Sequence, residues 1–227
     1  MLAAIEVSTR ICSVALLDLV TGEELAEVHL PPDWESSVTL IPAMESLLAQ
    51  KGAGPQDLDA VAVSVGPGSF TGIRVGIATA EGLCLPSNLL AYGIPTLDGL
   101  AENLRHAELQ GESLALIDAQ RGECFVGHYL IDPDRVRPLD PPRILKPGEL
   151  LGELKGRGWI VGPGALKYER EVRESLGAQG VFAFTALHQP SAMSVARLAY
   201  ARWQAGERPT LESLQPLYLR PPAVDEK

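Results

Sequence analysis

Two carboxylates and two Gly-Pro-Gly turns are the residues in this chain whose types and spacing could do chemistry. Glu6 stands at the end of an apolar run over 3–7, and Asp118 closes a second run over 113–117. Gly66-Pro67-Gly68 and Gly162-Pro163-Gly164 each follow a short apolar run and precede a helical pattern. A tight turn feeding a helix N-terminus presents backbone N–H groups to a phosphate, and the helix dipole favours the negative charge. No Asp or Glu occupies the first turn after Ser69, so that positive end is not already neutralised. Carboxylates beside such turns could hold Mg²⁺, a hard cation that takes oxygen ligands. Glu6, Gly66, Gly68, Asp118, Gly162 and Gly164, with Ser8 and Thr9 next to Glu6, are therefore the candidate nucleotide-binding set. Each feature also has a plainer use. Gly and Pro bring a helix close onto a strand, and a carboxylate at a strand end bonds the neighbouring turn.

Other chemistries find less support. His29, His106, His128 and His188 are isolated, with no HxxxH or HExxH pair, so no metal site is expected. Ser69 in GPGSF lacks the GxSxG context of a nucleophile elbow. Cys12, Cys84 and Cys124 are odd in number and have no CxxC spacing, which suits buried apolar residues in a reducing compartment. The net charge of −10 argues against autonomous nucleic-acid binding, which draws on a basic surface. The chain enters a strand directly, and its longest uncharged run, 82–97, is interrupted by Pro86, Asn88 and Pro95. A cytoplasmic protein without a membrane span is expected.

The elements that must position these groups follow one pattern written twice. Apolar runs at 3–7 and 11–18 have hairpin spacing, and 24–30 alternates as a third strand. A helix is expected over 37–50, a buried strand over 60–65, a helix over 69–84 with Ser69 as N-cap, a strand over 89–93 and a helix over 95–106. The second half repeats the hairpin at 113–117 and 124–130, then a Pro-rich connection over 132–142 and a strand at 143–145. After a short helix opened by Pro147 come a strand at 159–161, a helix at 165–176, a strand at 181–184 and a helix at 191–203. Three antiparallel strands followed by βαβα is the ribonuclease-H-like order, and two copies give an α/β protein of two lobes, the actin/hexokinase-like architecture. The division expected is 1–106 and 107–227, with the helix at 191–203 packing back on the first lobe.

The helix over 69–84 has no polar face: only Arg74 and Glu81 are charged. Phe70, Ile73, Ile77 and Cys84 fall on one stripe, and Gly72, Gly76 and Ala80 on another. Glycine inside a helix costs roughly 0.5–1 kcal/mol against alanine, and a closely approaching second backbone is the usual reason for it. A helix apolar all round is buried in its own core or covered by a partner. The expectation is a partner surface made of Val38, Ile41, Met44, Glu45 and Leu48 from the helix over 37–50, with Phe70, Gly72, Ile73, Arg74, Gly76, Ile77 and Ala80.

Five blocks resemble the TsaB family of tRNA threonylcarbamoyladenosine biosynthesis proteins. They are Ile5-Glu6-Val7-Ser8-Thr9 with Cys12-Ser13-Val14-Ala15-Leu16, the specific GPGSFTGIR block at 66–74, Ile117 to Glu123, Val161-Gly162-Pro163-Gly164, and Pro216-Leu217-Tyr218-Leu219-Arg220. They run nearly the whole chain in order. The resemblance implies a non-catalytic subunit that dimerises, with itself or with the transferase TsaD, through the helices over 37–50 and 69–84. It implies further a TsaE-like ATPase partner, ATP and Mg²⁺ only in the complex, and tRNA only through the complex. The catalytic relatives carry a metal-binding His-x-x-x-His, and alignment places Thr96 and Leu100 at those positions, neither a useful ligand. Glu6 replaces the family's usual Asp, Ser36 a common His and Gln120 a common Arg, and the first and third weaken ATP binding in the chain's own cleft. The alternative reading is an ATP-dependent small-molecule kinase of the hexokinase-like superfamily. Protease activity has no nucleophile or metal constellation behind it.

Overall fold

The computed structural model describes residues 1–31 and 36–220. Its elements are β1 (Leu2–Glu6), β2 (Cys12–Leu17), β3 (Glu24–Leu30), α1 (Ser36–Gln50), β4 (Ala60–Gly66), α2 (Phe70–Cys84), β5 (Leu90–Pro95) and α3 (Thr96–His106). There follow β6 (Gly111–Asp118), β7 (Cys124–Ile131), β8 (Val136–Pro138), β9 (Arg143–Leu145), β10 (Gly158–Val161), α4 (Pro163–Lys167), α5 (Glu169–Leu176), β11 (Gly180–Phe182) and α6 (Ala192–Gln204).

Two sheets result. The first runs β3-β2-β1-β4-β5 and the second β11-β10-β6-β7-β8, with β9 also on β7. Matched by position, β6, β7, β8, β10 and β11 stand where β1, β2, β3, β4 and β5 stand. In both sheets the first strand pairs antiparallel with the second and parallel with the fourth. β1 and β4 are buried along their whole length, which explains their unbroken apolar sequences: helices cover both faces of the sheet.

The period-2 alternation of the strands sorts the core by face. Ala3, Ile5, Val7, Val61 and Val63 meet Leu40, Met44 and Leu48 of α1 and Ile73 and Ile77 of α2. Leu2, Ala4, Ala60 and Ala62 meet Ala192, Val195, Ala196 and Ala199 of α6. In the second sheet Ala115, Ile117 and Val161 meet Leu97, Leu100 and Leu104 of α3, while Leu114, Leu116 and Ile160 meet Ala165, Val172 and Leu176 of α4 and α5. Each half thus lends a helix to the other. α6 covers the first sheet, and α3, which a division at residue 106 gives to the first lobe, covers the second. Asn103 pins the crossing: its Nδ2 donates to the carbonyls of Leu187 (2.9 Å) and Gln189 (2.8 Å), and its Oδ1 accepts from Ser194 Oγ of α6.

Three elements differ from the sequence expectation. The connection over 132–142 contains β8, a short edge strand that Pro138 ends. The helix at 165–176 is broken at Tyr168 into α4 and α5. The tail after α6 is ordered against the body: Leu214 is buried in the first core, and Leu217 N donates to Val65 O at 2.7 Å.

Candidate functional site

The ends of β1, β4, β6 and β10 meet at a cleft of about 950 Å³, lined by Ser8, Thr9, Gly68, Phe70, Asp118 and Lys167 among others. Of the two strand-end carboxylates only Asp118 lines it, Glu6 being buried behind Ser8, and both are engaged. Glu6 is 1 % exposed and accepts from Ser8 N at 2.6 Å and from Ser8 Oγ. Burial pushes its carboxyl up to about 7, against the hydrogen bonds from Ser8, which lower it. Asp118 accepts from Lys167 Nζ at 2.6 Å, Tyr168 OH at 2.9 Å and Gln120 N at 3.1 Å. Burial alone would raise its carboxyl, yet those partners, Lys167 first, hold it below the usual range. A cation is therefore already supplied to Asp118 by the chain, and Glu6 turns into its own loop. The pair does not fit a Mg²⁺ shared across the cleft.

The glycines of both turns serve close packing. A Cβ at Gly68 would lie 2.3 Å from Ser8 O, and Ser69 N donates to that same carbonyl at 2.7 Å. A Cβ at Gly66 would lie 2.7 Å from Leu217 O. In the second lobe a Cβ at Gly162 would lie 2.2 Å from Leu116 O, and one at Gly164 2.8 Å from the Ile117 carbonyl carbon. Each turn is thus seated on the end of its neighbouring strand, the plainer of the two uses.

Most of the partner surface expected from the sequence faces inward. A Cβ at Gly72 would fall 2.2 Å from Val7 O, and one at Gly76 2.4 Å from Val7 Cγ2. The second backbone that the small-residue stripe admits is that of Val7, directly after β1 of the same chain. Gly72, Ile73, Gly76, Ile77 and Ala80 are all buried inward, as are Met44 and Leu48 of α1. None of these seven can meet a partner. Of the remaining residues, Ile41, Glu45, Phe70 and Arg74 are exposed, and Val38 lies outside the residues whose side chains are described. The outward side of α2 carries a second stripe that the sequence reading passed over. Ala78 and Gly82 continue it from Arg74, Leu85 beyond the helix is 69 % exposed, and no atom lies within 4 Å of a Cβ built at Gly82.

The C-terminal segment completes this region. Tyr218 packs on Phe70 with ring centroids 5.1 Å apart, and its hydroxyl accepts from Arg74 Nε at 3.0 Å. Arg220 donates to Ala119 O at 2.9 Å and pairs with Glu123, so the strap reaches from the first lobe to the second. Thr96 and Leu100 are core residues of α3, and Thr96 Oγ1 is buried without a hydrogen-bond partner among the described residues.

Two ribonuclease-H-like units in tandem, with exchanged helices and a cleft whose carboxylates are satisfied internally, define an actin/hexokinase-like protein. The family model described as "TsaD: tRNA N6-adenosine threonylcarbamoyltransferase" matches residues 34–201. The tRNA threonylcarbamoyladenosine biosynthesis protein TsaB of Escherichia coli is 31 % identical over 221 residues, 96 % of this chain and 93 % of that protein. TsaB of Bacillus subtilis is 28 % identical over 222 residues, with the same coverage of both chains. YeaZ from Pseudomonas aeruginosa superposes with a TM-score of 0.83 at 27 % identity, over 96 % of this chain and 99 % of that one. The chain belongs to the TsaB family. No helix among the described residues is long and apolar enough to cross a membrane.

Proposed function

We propose that this chain acts in tRNA N6-threonylcarbamoyladenosine formation as a non-catalytic cytoplasmic subunit that docks on a TsaD-like transferase and activates it. The carrying observation is that Ile41 of α1, Phe70, Arg74, Ala78 and Gly82 of α2, and Leu85 just beyond it are all exposed. Exposed apolar and small residues on adjoining helices suit a protein interface. The cleft supports the non-catalytic part. Asp118 is neutralised by Lys167, Glu6 is buried, and the positions aligned with the transferase histidines are core residues. The kinase reading has neither carboxylate free to organise Mg-ATP.

In this account the chain holds no nucleotide of its own. ATP and Mg²⁺ enter with the transferase and a TsaE-like ATPase, tRNA is met only through the complex, and the free chain pairs with itself. Reconstitution tests the reading. Modification of tRNA should need both this chain and its TsaD-like counterpart, and this chain alone should give none. Full modification without this chain would refute it.

A further inference from the structure

Arg74 has an unusual setting for an exposed arginine. Its guanidinium carbon lies 3.8 Å from the Phe70 ring centroid and 5.9 Å from that of Tyr218, and its Nε donates to Tyr218 OH. Stacking on Phe70 and the Nε bond restrict the long side chain, while its two terminal nitrogens have no hydrogen-bond partner among the described residues. A planar guanidinium held this way presents a fork of N–H donors matched to a two-oxygen acceptor. Restricting it beforehand removes ordering entropy that binding would otherwise cost. The clamp also gives the C-terminal strap a role: Tyr218 comes from 144 residues further along the chain and meets α2 where Arg74 must be held.

We propose that Arg74, clamped by Phe70 and Tyr218, is a preset receptor for a side-chain carboxylate of the TsaD-like subunit. The proposal rests on the partner reading above and names the chemistry of one contact in it. A phosphate chain offers the same two-oxygen edge. However, the chain carries a net charge of −10, and Glu45 and Glu81 lie on the same two helices without an ion-pair partner among the described residues, so a polyanion is opposed. A single carboxylate, set among apolar side chains of a protein surface, meets that constraint.

Carbodiimide coupling tests this directly, because it joins a carboxylate to an amine without a spacer and leaves arginine untouched. Arg74→Lys places an amine at the position, and coupling in the heterodimer should join position 74 to an Asp or Glu of the TsaD-like subunit. Arg74→Ala should weaken the heterodimer at least roughly 30-fold, as loss of one member of a buried charge pair does. Tyr218→Phe should weaken it by roughly 2- to 12-fold, and should add nothing in the Arg74→Ala background. Wild-type affinity in Arg74→Ala, or coupling of position 74 only to another copy of this chain, would overturn the proposal. Absence of any complex with the wild-type chain would overturn the partner reading beneath it, a distinguishable result.

Discussion

Gly76 and Gly82 are both interior to α2, six residues apart, and the structure gives them opposite surroundings. A methyl group at Gly76 would stand 2.4 Å from Val7 Cγ2 and 3.2 Å from Val63 Cγ2. Valine is stiff at χ1, so relief requires α2 to lift from β1 and β4. Overpacking of this kind costs about 1–3 kcal/mol, and the better helix propensity of alanine returns roughly 0.5–1 kcal/mol. Gly76→Ala should therefore destabilise by up to about 2.5 kcal/mol, and for a chain of this size lower Tm by up to roughly 10 °C. Gly82→Ala meets nothing within 4 Å and keeps only the propensity gain, so Tm should rise by roughly 1–4 °C. Thermal unfolding of the purified variants at one pH reads both. A Gly76→Ala protein stabilised as much as the Gly82→Ala protein would refute the inward assignment of the small-residue stripe.

Two further perturbations test the cleft and the helix exchange. Because burial raises the carboxyl of Glu6 from 4.5 to about 7, the folded chain holds this proton more tightly than the unfolded chain does. Its contribution is fully present below about pH 4.5 and is lost as pH rises through 7, at most about 3 kcal/mol. Urea unfolding from pH 4.5 to 8 should show that slope in the parent and its loss in Glu6→Gln; equal slopes would contradict the burial of this carboxylate. Asn103→Ala strands the carbonyls of Leu187 and Gln189 and the hydroxyl of Ser194, and should cost about 2–4 kcal/mol, seen as a fall in the urea midpoint. A loss under 0.5 kcal/mol would mean that the crossing of α3 and α6 does not depend on it.

The order of elements was legible because strand alternation, Pro and Gly punctuation and the repeat of both halves agree with one another. The two turns were legible as positions, but their purpose was not. Whether a glycine admits a phosphate or a neighbouring carbonyl depends on Ser8 and Leu116, residues far away in sequence. α2 shows the same difficulty more sharply. An all-apolar helix lacks the polar stripe that tells inside from outside. Gly72-Gly76-Ala80 and Arg74-Ala78-Gly82 are equally plausible faces until β1 is placed against one of them. The pairing of Asp118 with Lys167 spans 49 residues, and its only local trace is a lysine one turn after the second Gly-Pro-Gly. The strap was legible as the block Pro216 to Arg220, but not as a contact: Phe70 and Val65, which it meets, lie about 150 residues earlier.

The outward face of α1 and α2 carries the proposed function, and the affinity of this chain for the TsaD-like subunit, measured by sedimentation for Gly82→Arg beside the parent, tests it most directly. The position is exposed and open, so the variant should fold with a Tm no lower than the parent's, while its bulk and charge should weaken the heterodimer by roughly 100-fold or more. A Gly82→Arg chain that folds normally and binds as tightly as the parent would contradict the account.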